Sequence, residues 1–453
     1  MGEIANVSLN LERDPKQKQP TPPSSNVVVE PKKRLGSIMW AILIVAALAE
    51  ISYGMINFSA TPVYIRALGL DSSWIGIVTI TYLLTEALFK TPFGALGDKI
   101  GRKRLLVAAP IVSIFTSLAT VHVQSPYMLM LLRALDGLAL AALWPSAFGI
   151  ISDYSRSNER AKAMSLFNIS YMAGIACAPA LGGIINDLAH FAFHLPDKIA
   201  KQASFYACAV FFLVTALVAL VLLPNTAPQH DTSEAVNDSG EIPVEGIHLA
   251  DFKRMLGEIP MILLLAFTIF AGIGFILPYA KVTLMEHFQI TESEYGGLIF
   301  GPAVIIGILS LVLGTVGDRI GKVQAARLGL GVATFGFMLA LVFPLKFLLP
   351  LFGVIIGSGY VVAYPAIFAY VSDCAAPKQR GIALGAVGTA QGIGAILGSA
   401  LSVPFYKLKE FPLLGATIPE HGVPFICCAF MLLIAFLISL FGLKQKPRLQ
   451  TAD

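Results

Sequence analysis

Long apolar segments, separated by short polar ones, recur along the whole chain. About twelve of them are long enough for a helix to cross a bilayer, which takes roughly 17–25 residues. They lie near residues 38–60, 74–96, 104–122, 126–150, 160–185, 201–224, 260–284, 293–316, 325–344, 347–371, 381–404 and 422–443. Their apolarity is continuous rather than alternating, which predicts helices instead of barrel strands. The sequence therefore predicts an all-α integral membrane protein with about twelve transmembrane helices.

The composition supports this prediction. Hydrophobic residues make up 56% of the chain and charged residues only 13%, whereas soluble domains carry roughly 25% charged residues. Most of the surface must therefore face lipid, and the net charge of +4 gives no indication of a nucleic-acid partner. The five cysteines lie in or beside apolar stretches without the spacing of metal ligands or disulfides, so we interpret them as core residues.

The polar segments divide the chain into two halves. We predict a disordered cytoplasmic tail (1–37), a six-helix bundle (38–224), a cytoplasmic linker (225–258), a second six-helix bundle (259–443) and a cytoplasmic tail (444–453). With this arrangement, 23 of the 32 Lys and Arg residues fall on the side of the termini. Because basic residues are enriched in cytoplasmic loops, both termini are predicted to be cytoplasmic in a multi-pass inner (plasma) membrane protein.

The two halves repeat one another. Residues 94–101 read GALGDKIG and residues 314–321 read GTVGDRIG, an offset of 220 that also relates Asp153 to Asp373 and Pro145 to Pro365. Repeated halves place a substrate site at their interface near the bilayer midplane and allow the halves to rock between two access states. The repeat therefore predicts a transporter built from two pseudo-symmetric bundles.

The loop between the second and third spans, Gly94 to Arg104, resembles the hallmark cytoplasmic loop of the major facilitator superfamily. With the span count and the repeat, the resemblance covers about residues 38–443. It implies that Asp98 and Arg102 pair with an acid at the inner end of the fourth span and latch the halves in one state. The alternative is a simple positive-inside anchor. The predicted latch residues are Gly94, Asp98, Gly101, Arg102, Asp153, Asp318, Arg319 and Asp373.

Ionisable residues inside spans are costly and are functional candidates by default. Glu50 lies ~18 Å into the first span at 1.5 Å per residue, near mid-membrane. Glu86 and Lys90 share a face of the second span. Arg133, four residues before Gly137 in the fourth span, matches a motif of the family whose Arg influences proton transfer in proton-coupled members. Glu50, Glu86, Arg133 and Asp136 are thus the proton-coupling candidates, and static ion pairs are the alternative for Glu86–Lys90 and Arg133–Asp136.

Because no clear mid-span charge occurs in the second half, we expect coupling to reside in the first. Residues 174–183 of the fifth span, GIACAPALGG, resemble the family's antiporter motif, which is associated with drug–proton exchangers. Gly174, Pro179, Gly182 and Gly183 match it, while Ala178 stands where a glycine is usual. The alternative is ordinary close packing by small residues.

The remaining polar and aromatic residues of the spans are candidates for the substrate cavity. They are Tyr53, Asn57, Tyr82, Lys90, Trp144, Asn168, Tyr171, Tyr279, Tyr360, Tyr364 and Gln391. A cavity of aromatic side chains with few fixed charges suits an amphipathic or hydrophobic solute better than a phosphate, although a sugar would also fit.

These features favour a proton-coupled exporter of drug-like or metabolic compounds. An importer of a sugar or organic acid, by proton symport or uniport, is one alternative, and a membrane sensor that does not transport is another. No sequence feature indicates an enzyme, since there is no nucleotide-binding loop, metal cluster or nucleophile constellation. The expected partners are a small-molecule substrate, protons and the lipid bilayer, with the protein as a monomer and with no cofactor or metal.

Overall fold

The computed structural model describes residues 35–154, 160–225, 249–374, 380–408, 411–413, 416–418 and 421–443. Its first half contains α1 (Leu35–Gly54), α2 (Thr61–Ala67), α3 (Ser73–Ile100), α4 (Arg102–Thr120), α5 (Pro126–Tyr154), α6 (Arg160–Asp187), α7 (Asp197–Ala200) and α8 (Ala203–Leu222). Two π-helical turns, Met55–Ala60 and Leu188–Ala192, continue α1 and α6.

The second half repeats this order. It contains α9 (Leu249–Ile276), α10 (Ala280–Phe288), α11 (Glu292–Leu313), α12 (Val316–Ile320), α13 (Lys322–Val342), α14 (Leu349–Cys374), α15 (Arg380–Tyr406) and α16 (Val423–Gly442). A 3₁₀ turn, Lys346–Leu348, precedes α14. The strands β1 (Phe411–Leu413) and β2 (Ala416–Ile418) form an antiparallel hairpin before α16. Within the described ranges the protein is otherwise helical, which confirms the predicted all-α class.

Ten of the helical segments are long and apolar enough to cross a membrane. The residues 260–288 add an eleventh if they count as one span bent by 49° between Ile276 and Ala280. The remaining predicted span, 74–96, corresponds to α3, which is 28 residues long but carries Glu86 and Lys90 within its apolar stretch. The chain is therefore a multi-pass membrane protein, with ten or eleven spans identified by apolarity against the twelve expected.

At the predicted linker the structure differs from the expected boundaries. Helix α9 begins at Leu249, inside the segment 225–258 that was expected to be a linker. Most of that segment, and most of the predicted tails 1–37 and 444–453, lie outside the described residues.

We call the end of the molecule where α3 meets α4 the inner end, and the opposite end, where α2 meets α3, the outer end. At the inner end Gly101 has φ +97° and Gly321 has φ +92°, a conformation that glycine adopts far more readily than other residues. Each glycine breaks the chain between two helices, α3 and α4 in one half and α12 and α13 in the other. The repeated sequence therefore produces the same turn twice.

The halves contact each other at the outer end and diverge toward the inner end. Helix α6 packs against α11, and α3 packs against α15. The buried core of the first half continues into Tyr279, Val282 and Tyr406 of the second half, all at the outer end. The hydrogen bonds and ion pairs that join the halves among the described residues also lie at this end. Nearer the inner end, no side chain or neighbouring helix of the described residues comes within 4 Å of the Cβ position of Gly388 on α15. The structure is thus closed at its outer end and open at its inner end.

Candidate functional site

Glu50 is a buried acid without a partner. It lies near the C-terminal end of α1, 7% exposed, and its Oε2 atom has no hydrogen-bond partner among the described residues. Gly174 of α6 packs closely against Glu50, since a Cβ at Gly174 would lie 2.8 Å from the Cβ of Glu50. The carboxylate is also within electrostatic range of Glu86 and Lys90 on α3. A carboxyl group so placed is balanced by no adjacent cation, unlike most buried charges.

Glu86 and Lys90 form an ion pair along one face of α3. The Nζ of Lys90 lies 3.1 Å from the Oε1 of Glu86, and the Lys90 side chain is half exposed. Glu86 thus has a counter-ion that Glu50 lacks.

Arg133 and Asp136 form a second pair, inside the first bundle. Nη1 of Arg133 lies 2.8 Å from Oδ2 of Asp136, and both side chains are 1% exposed. Thr120 accepts a hydrogen bond of 3.0 Å from Arg133 Nη2, and Thr116 donates one to Asp136. These threonines belong to α4, so the pair joins α4 to α5. The two charges thus face each other at ion-pair distance, although neither Arg133 Nη1 nor Asp136 Oδ2 makes a hydrogen bond among the described residues.

Tyr53 extends the same network rather than lining an opening between the halves. Its hydroxyl lies 2.8 Å from Ser113 Oγ on α4, and its ring meets Phe212 of α8 edge-on at 4.8 Å. Asn57, one turn on, donates its amide to the Tyr53 carbonyl at 2.9 Å. Tyr82 of α3 is also buried. These three predicted cavity residues therefore serve packing within the first half in this state.

Each half contributes a pair of aromatic side chains to the region around Glu50. Trp144 of α5 packs edge-on against Tyr171 of α6, with ring centroids 5.1 Å apart. In the second half Tyr360 and Tyr364 of α14 stack at 4.9 Å. Tyr171 is within electrostatic range of Glu50 and of both these tyrosines. Tyr171 thus lies within electrostatic range of an acid of the first half and of two tyrosines of the second half.

Other predicted cavity residues lie around this group. Gln391 of α15 lies near Tyr364 of α14. Asn168 and Lys90 are exposed. Tyr279 is different, because it is fully buried at the outer end, stacks on Tyr406 at 3.9 Å and contacts Gly76 of α3. It closes the outer end and does not reach the opening at the inner end.

The predicted latch residues of the first half meet at the inner end. Arg102 donates to Asp98 at 2.9 Å and also pairs with Asp153 at the end of α5. In the second half Lys322, not Arg319, pairs with Asp373 at 2.5 Å. Each cluster stays within its own half, and Gly94 contacts Pro145 of α5. In this inner-open state, therefore, neither cluster bridges the halves directly.

The small residues of 174–183 pack in two directions. Toward the first half, Gly174 meets Glu50, Ala178 meets Gly54, and Gly182 meets Ser59. Toward the second half, Gly183 approaches the carbonyl of Glu292, and the Pro179 carbonyl approaches Gly296 of α11. At the unusual position, the alanine at 178 is thus matched by a glycine at 54 on the facing helix. This segment of α6 touches both the buried acid and the other half.

Sequence analysis missed one group of charges. Lys281 and Glu292 are not among the candidate residues, yet both side chains are about 2% exposed. They belong to the second half, where we expected no buried charge of consequence. The signal was present in the sequence, because Lys281 stands inside the apolar run ILPYAKVTL.

Known proteins resemble this chain in sequence. The Major Facilitator Superfamily profile matches residues 42–399 and, in a second match, 262–453. The inner membrane transport protein YajR of Escherichia coli (strain K12) is 28% identical over 230 residues, 51% of this chain and 46% of YajR. The quinolone resistance protein NorA of Staphylococcus aureus is 26% identical over 129 residues, 28% of this chain and 33% of NorA. The matched parts thus span less than half of these relatives.

A third relative and two solved structures extend the likeness. The putative metabolite transport protein YaaU of Escherichia coli (strain K12) is 31% identical over 122 residues, 27% of this chain and 28% of YaaU. The nucleoside transporter NupG has TM-score 0.67 at 15% identity, covering 90% of this chain and 100% of its own. An inward-facing, unoccupied bacterial homolog of the human lysosomal transporter Spinster has TM-score 0.70 at 15% identity, covering 92% and 99%.

At such low identity the two structures establish the fold alone. The family profile establishes membership of the family, because its matches together cover nearly all of the two helical bundles. The chain belongs to the major facilitator superfamily, a family of membrane transporters rather than enzymes.

Proposed function

We propose that this chain is a secondary active transporter that exports drug-like or metabolic compounds in exchange for protons by alternating access. In this proposal both termini and the inner end face the cytoplasm. The open inner end then gives cytoplasmic solutes access to the group formed by Glu50 and the tyrosines. The residues between the halves would bind the solute, and rocking of the halves would release it outside.

The observation that carries the proposal is the unpartnered carboxyl group of Glu50. A buried acid with no fixed cation beside it is suited to gain and lose a proton, because neither form is held by an ion pair. Glu50 also touches Gly174, the first glycine of the segment that resembles the antiporter motif. A proton at Glu50 would therefore act on the helix that packs against the second half.

The other candidates are less suited to carry the proton. Asp136 already has Arg133 at 2.8 Å and a hydrogen bond from Thr116, and Glu86 has Lys90 at 3.1 Å. We therefore assign Arg133 and Asp136 a positioning role inside the first bundle. Glu86 would tune Glu50 through its charge.

The surroundings of Glu50 favour an aromatic or amphipathic solute. Tyr171, Tyr360 and Tyr364 offer ring faces from both halves, and such faces bind apolar and cationic groups. One relative is a quinolone resistance protein, so fluoroquinolones belong in any substrate panel. The alternative, import of a metabolite by symport or uniport, draws on the relative described as a putative metabolite transport protein.

The first experiment is a thermal-shift screen of purified protein at two pH values. The panel would contain fluoroquinolones, lipophilic aromatic cations, sugars and organic acids. The expected result is stabilisation by an aromatic compound that depends on pH. Stabilisation by a sugar alone, equal at both pH values, would favour the importer.

The second experiment adds the hit to proteoliposomes that contain a pH-sensitive dye and have no pH gradient. Antiport makes the lumen alkaline as substrate enters, symport makes it acidic, and uniport leaves it unchanged. We expect an alkaline lumen in the wild type and no change with Glu50→Gln. The variants Glu86→Gln and Asp136→Asn should retain at least part of the signal. Normal proton flux in Glu50→Gln would refute the assignment of Glu50.

A further inference from the structure

Three charged side chains form a buried cluster where the halves meet at the outer end. Glu292 at the start of α11 accepts from Lys281 of α10 at 2.5 Å and from Lys201 at 3.1 Å. Lys281 and Glu292 belong to the second half, whereas Lys201 lies just before α8 of the first half. We call Lys201, Lys281 and Glu292 the outer cluster. It lies apart from Glu50 and the tyrosines.

The hydrogen bonds of this cluster cross from one half to the other. Lys281 donates to the Ser59 carbonyl at 3.0 Å and to the Ser59 hydroxyl at 2.8 Å. Asn186 of α6 donates to Glu292 at 3.0 Å and is itself held by Ser204. Beside them, Asp187 of α6 accepts from the backbone N–H of Ser293 at 2.8 Å. The Lys281–Glu292 pair of the second half is thus hydrogen-bonded to Ser59 and Asn186 of the first half.

Each half also keeps a counter-ion of its own. Lys201 lies 2.9 Å from Asp197 in the first half, and Lys281 stays beside Glu292 in the second. When the halves separate at the outer end, the bonds to Ser59, Asn186 and Lys201 break, but no charge is left alone. This matters because an uncompensated buried charge is strongly destabilising.

We propose that the outer cluster is the lock of the outer end, with Glu292 as the carboxylate that holds two opposing lysines together across the halves. The lock can open and close because each half remains neutral at this point. Glu292 and Lys201 are therefore positioning residues for transport, since they control which end is open. The proposal rests on the alternating access proposed above, but not on proton coupling or on any substrate.

The outer cluster predicts that the effect of Lys201→Met on opening of the outer end changes sign when Glu292 is replaced. With Glu292 present, Lys201 attracts the second half, so Lys201→Met should favour outer opening. With Glu292→Gln, Lys201 and Lys281 repel each other across the interface, so the same Lys201→Met should now favour closure. A change of sign between backgrounds is a coupling that independent sites do not show.

The test measures distances between spin labels in the full-length protein, in a version whose five native cysteines are replaced. Labels at Phe193 and His287, both exposed, report the outer end, and labels at Lys99 and Ile320 report the inner end. We expect Glu292→Gln to raise the ratio of outer-open to outer-closed molecules by about tenfold or more, since a buried charge loses its partner. Adding Lys201→Met should lower that ratio again. The inner distances should change in the opposite direction.

Glu294→Gln is the matched control, because Glu294 forms an ion pair of 2.9 Å with Lys346 on the same outer surface but within the second half. Its distances should match the wild type. If Glu292→Gln does not fold, Lys201→Glu provides a second route, since it sets two carboxylates against each other and should open the outer end. The proposal is overturned if Lys201→Met has the same sign in both backgrounds, or if the folded Glu292→Gln or Lys201→Glu variant leaves the outer distances unchanged. No substrate is needed, so this outcome is separate from the test of proton exchange.

Discussion

Buried charged side chains of the first half are of two kinds, and their surroundings separate their roles. Arg133 and Asp136 neutralise each other and are held by threonines of α4. Glu50 has neither a cation nor a donor at its Oε2 atom among the described residues. A buried pair fixes a structure, whereas a buried single acid is tolerated where a proton can neutralise it. The sequence predicted all of these residues as candidates and gave a static ion pair as the alternative for Arg133 and Asp136 but not for Glu50.

This difference predicts opposite effects on stability. Asp136→Asn leaves the Arg133 guanidinium buried without its counter-ion, which should lower stability by about 3–5 kcal/mol. Glu50→Gln removes a charge that has no partner to lose and should leave the thermal unfolding midpoint equal or higher. Thermal unfolding in detergent measures both. Equal midpoints for the two variants would contradict the distinction between a paired and an unpaired acid.

Which residues share a site was the harder question at this scale. Tyr53 and Tyr279 have the same character as Tyr171 in the sequence, yet one joins the network of α4 and the other closes the outer end. The direction in which a tyrosine points depends on how its helix is rotated in the bundle, and continuous apolarity does not encode that rotation. The pairing of Lys322 rather than Arg319 with Asp373 is different, because the offset of 220 relates it to the pair of Arg102 and Asp153.

The elements themselves followed closely from the sequence, because a span must be a long apolar helix. The main departure is the break between α9 and α10, where the predicted span 260–284 bends by 49°. Pro278 lies in the break and cannot donate a backbone hydrogen bond, so it accounts for the bend. The bend carries Lys281 into the interface, which explains why its burial was not foreseen.

Close packing of α6 on α1 gives a prediction at the scale of elements. In Gly174→Ala the new methyl would lie 2.8 Å from the Cβ of Glu50 and 2.9 Å from the Ala47 carbonyl, so the helices must separate. We expect a loss of about 1–3 kcal/mol in stability together with weaker proton coupling. Gly385→Ala on α15 is the matched control, because nothing lies within 4 Å of its Cβ position. Thermal unfolding and the proteoliposome assay measure the two effects, and equal behaviour of both variants would contradict the packing described.

At the scale of the whole molecule, the structure combines a closed outer end with an open inner end. The repeat predicted two similar halves and the interface between them, but not which end is closed, since the same sequence must adopt both states. Contacts such as Lys281 with Ser59 join residues of different halves that no local pattern relates. Which end of the molecule is closed therefore depends on contacts between the halves, which the sequence pattern of either half does not reveal.

An exposed ion pair at the outer end joins Asp71 to Lys407 at 3.1 Å. We expect its contribution to the closure of the outer end to stay constant across the physiological pH range. Hydrogen bonds from the Ser73 side chain and backbone, and then from Lys407, lower the pKa of Asp71 to about 2. Because that pKa is depressed, any stabilisation of closure is complete above the ordinary pKa of an aspartate and is lost only as the pH falls toward 2.

The shift in spin-label distances caused by Asp71→Asn should accordingly be the same across roughly pH 5 to 8. Outer labels at Phe193 and His287 measure it in the wild type and the variant. A shift that shrinks steadily as the pH is lowered from 8 to 5 would show that Asp71 is protonated in this range and would contradict the predicted pair.

The central claim, that substrate and proton compete at Glu50, is tested most directly by counting protons when substrate binds. Calorimetric titration of the purified protein, with a compound identified in the thermal-shift screen, in two buffers of different ionisation enthalpy gives that number. The account predicts net proton release on binding by the wild type and none by Glu50→Gln, with Glu86→Gln still releasing protons. Equal proton release by the wild type and Glu50→Gln would contradict it.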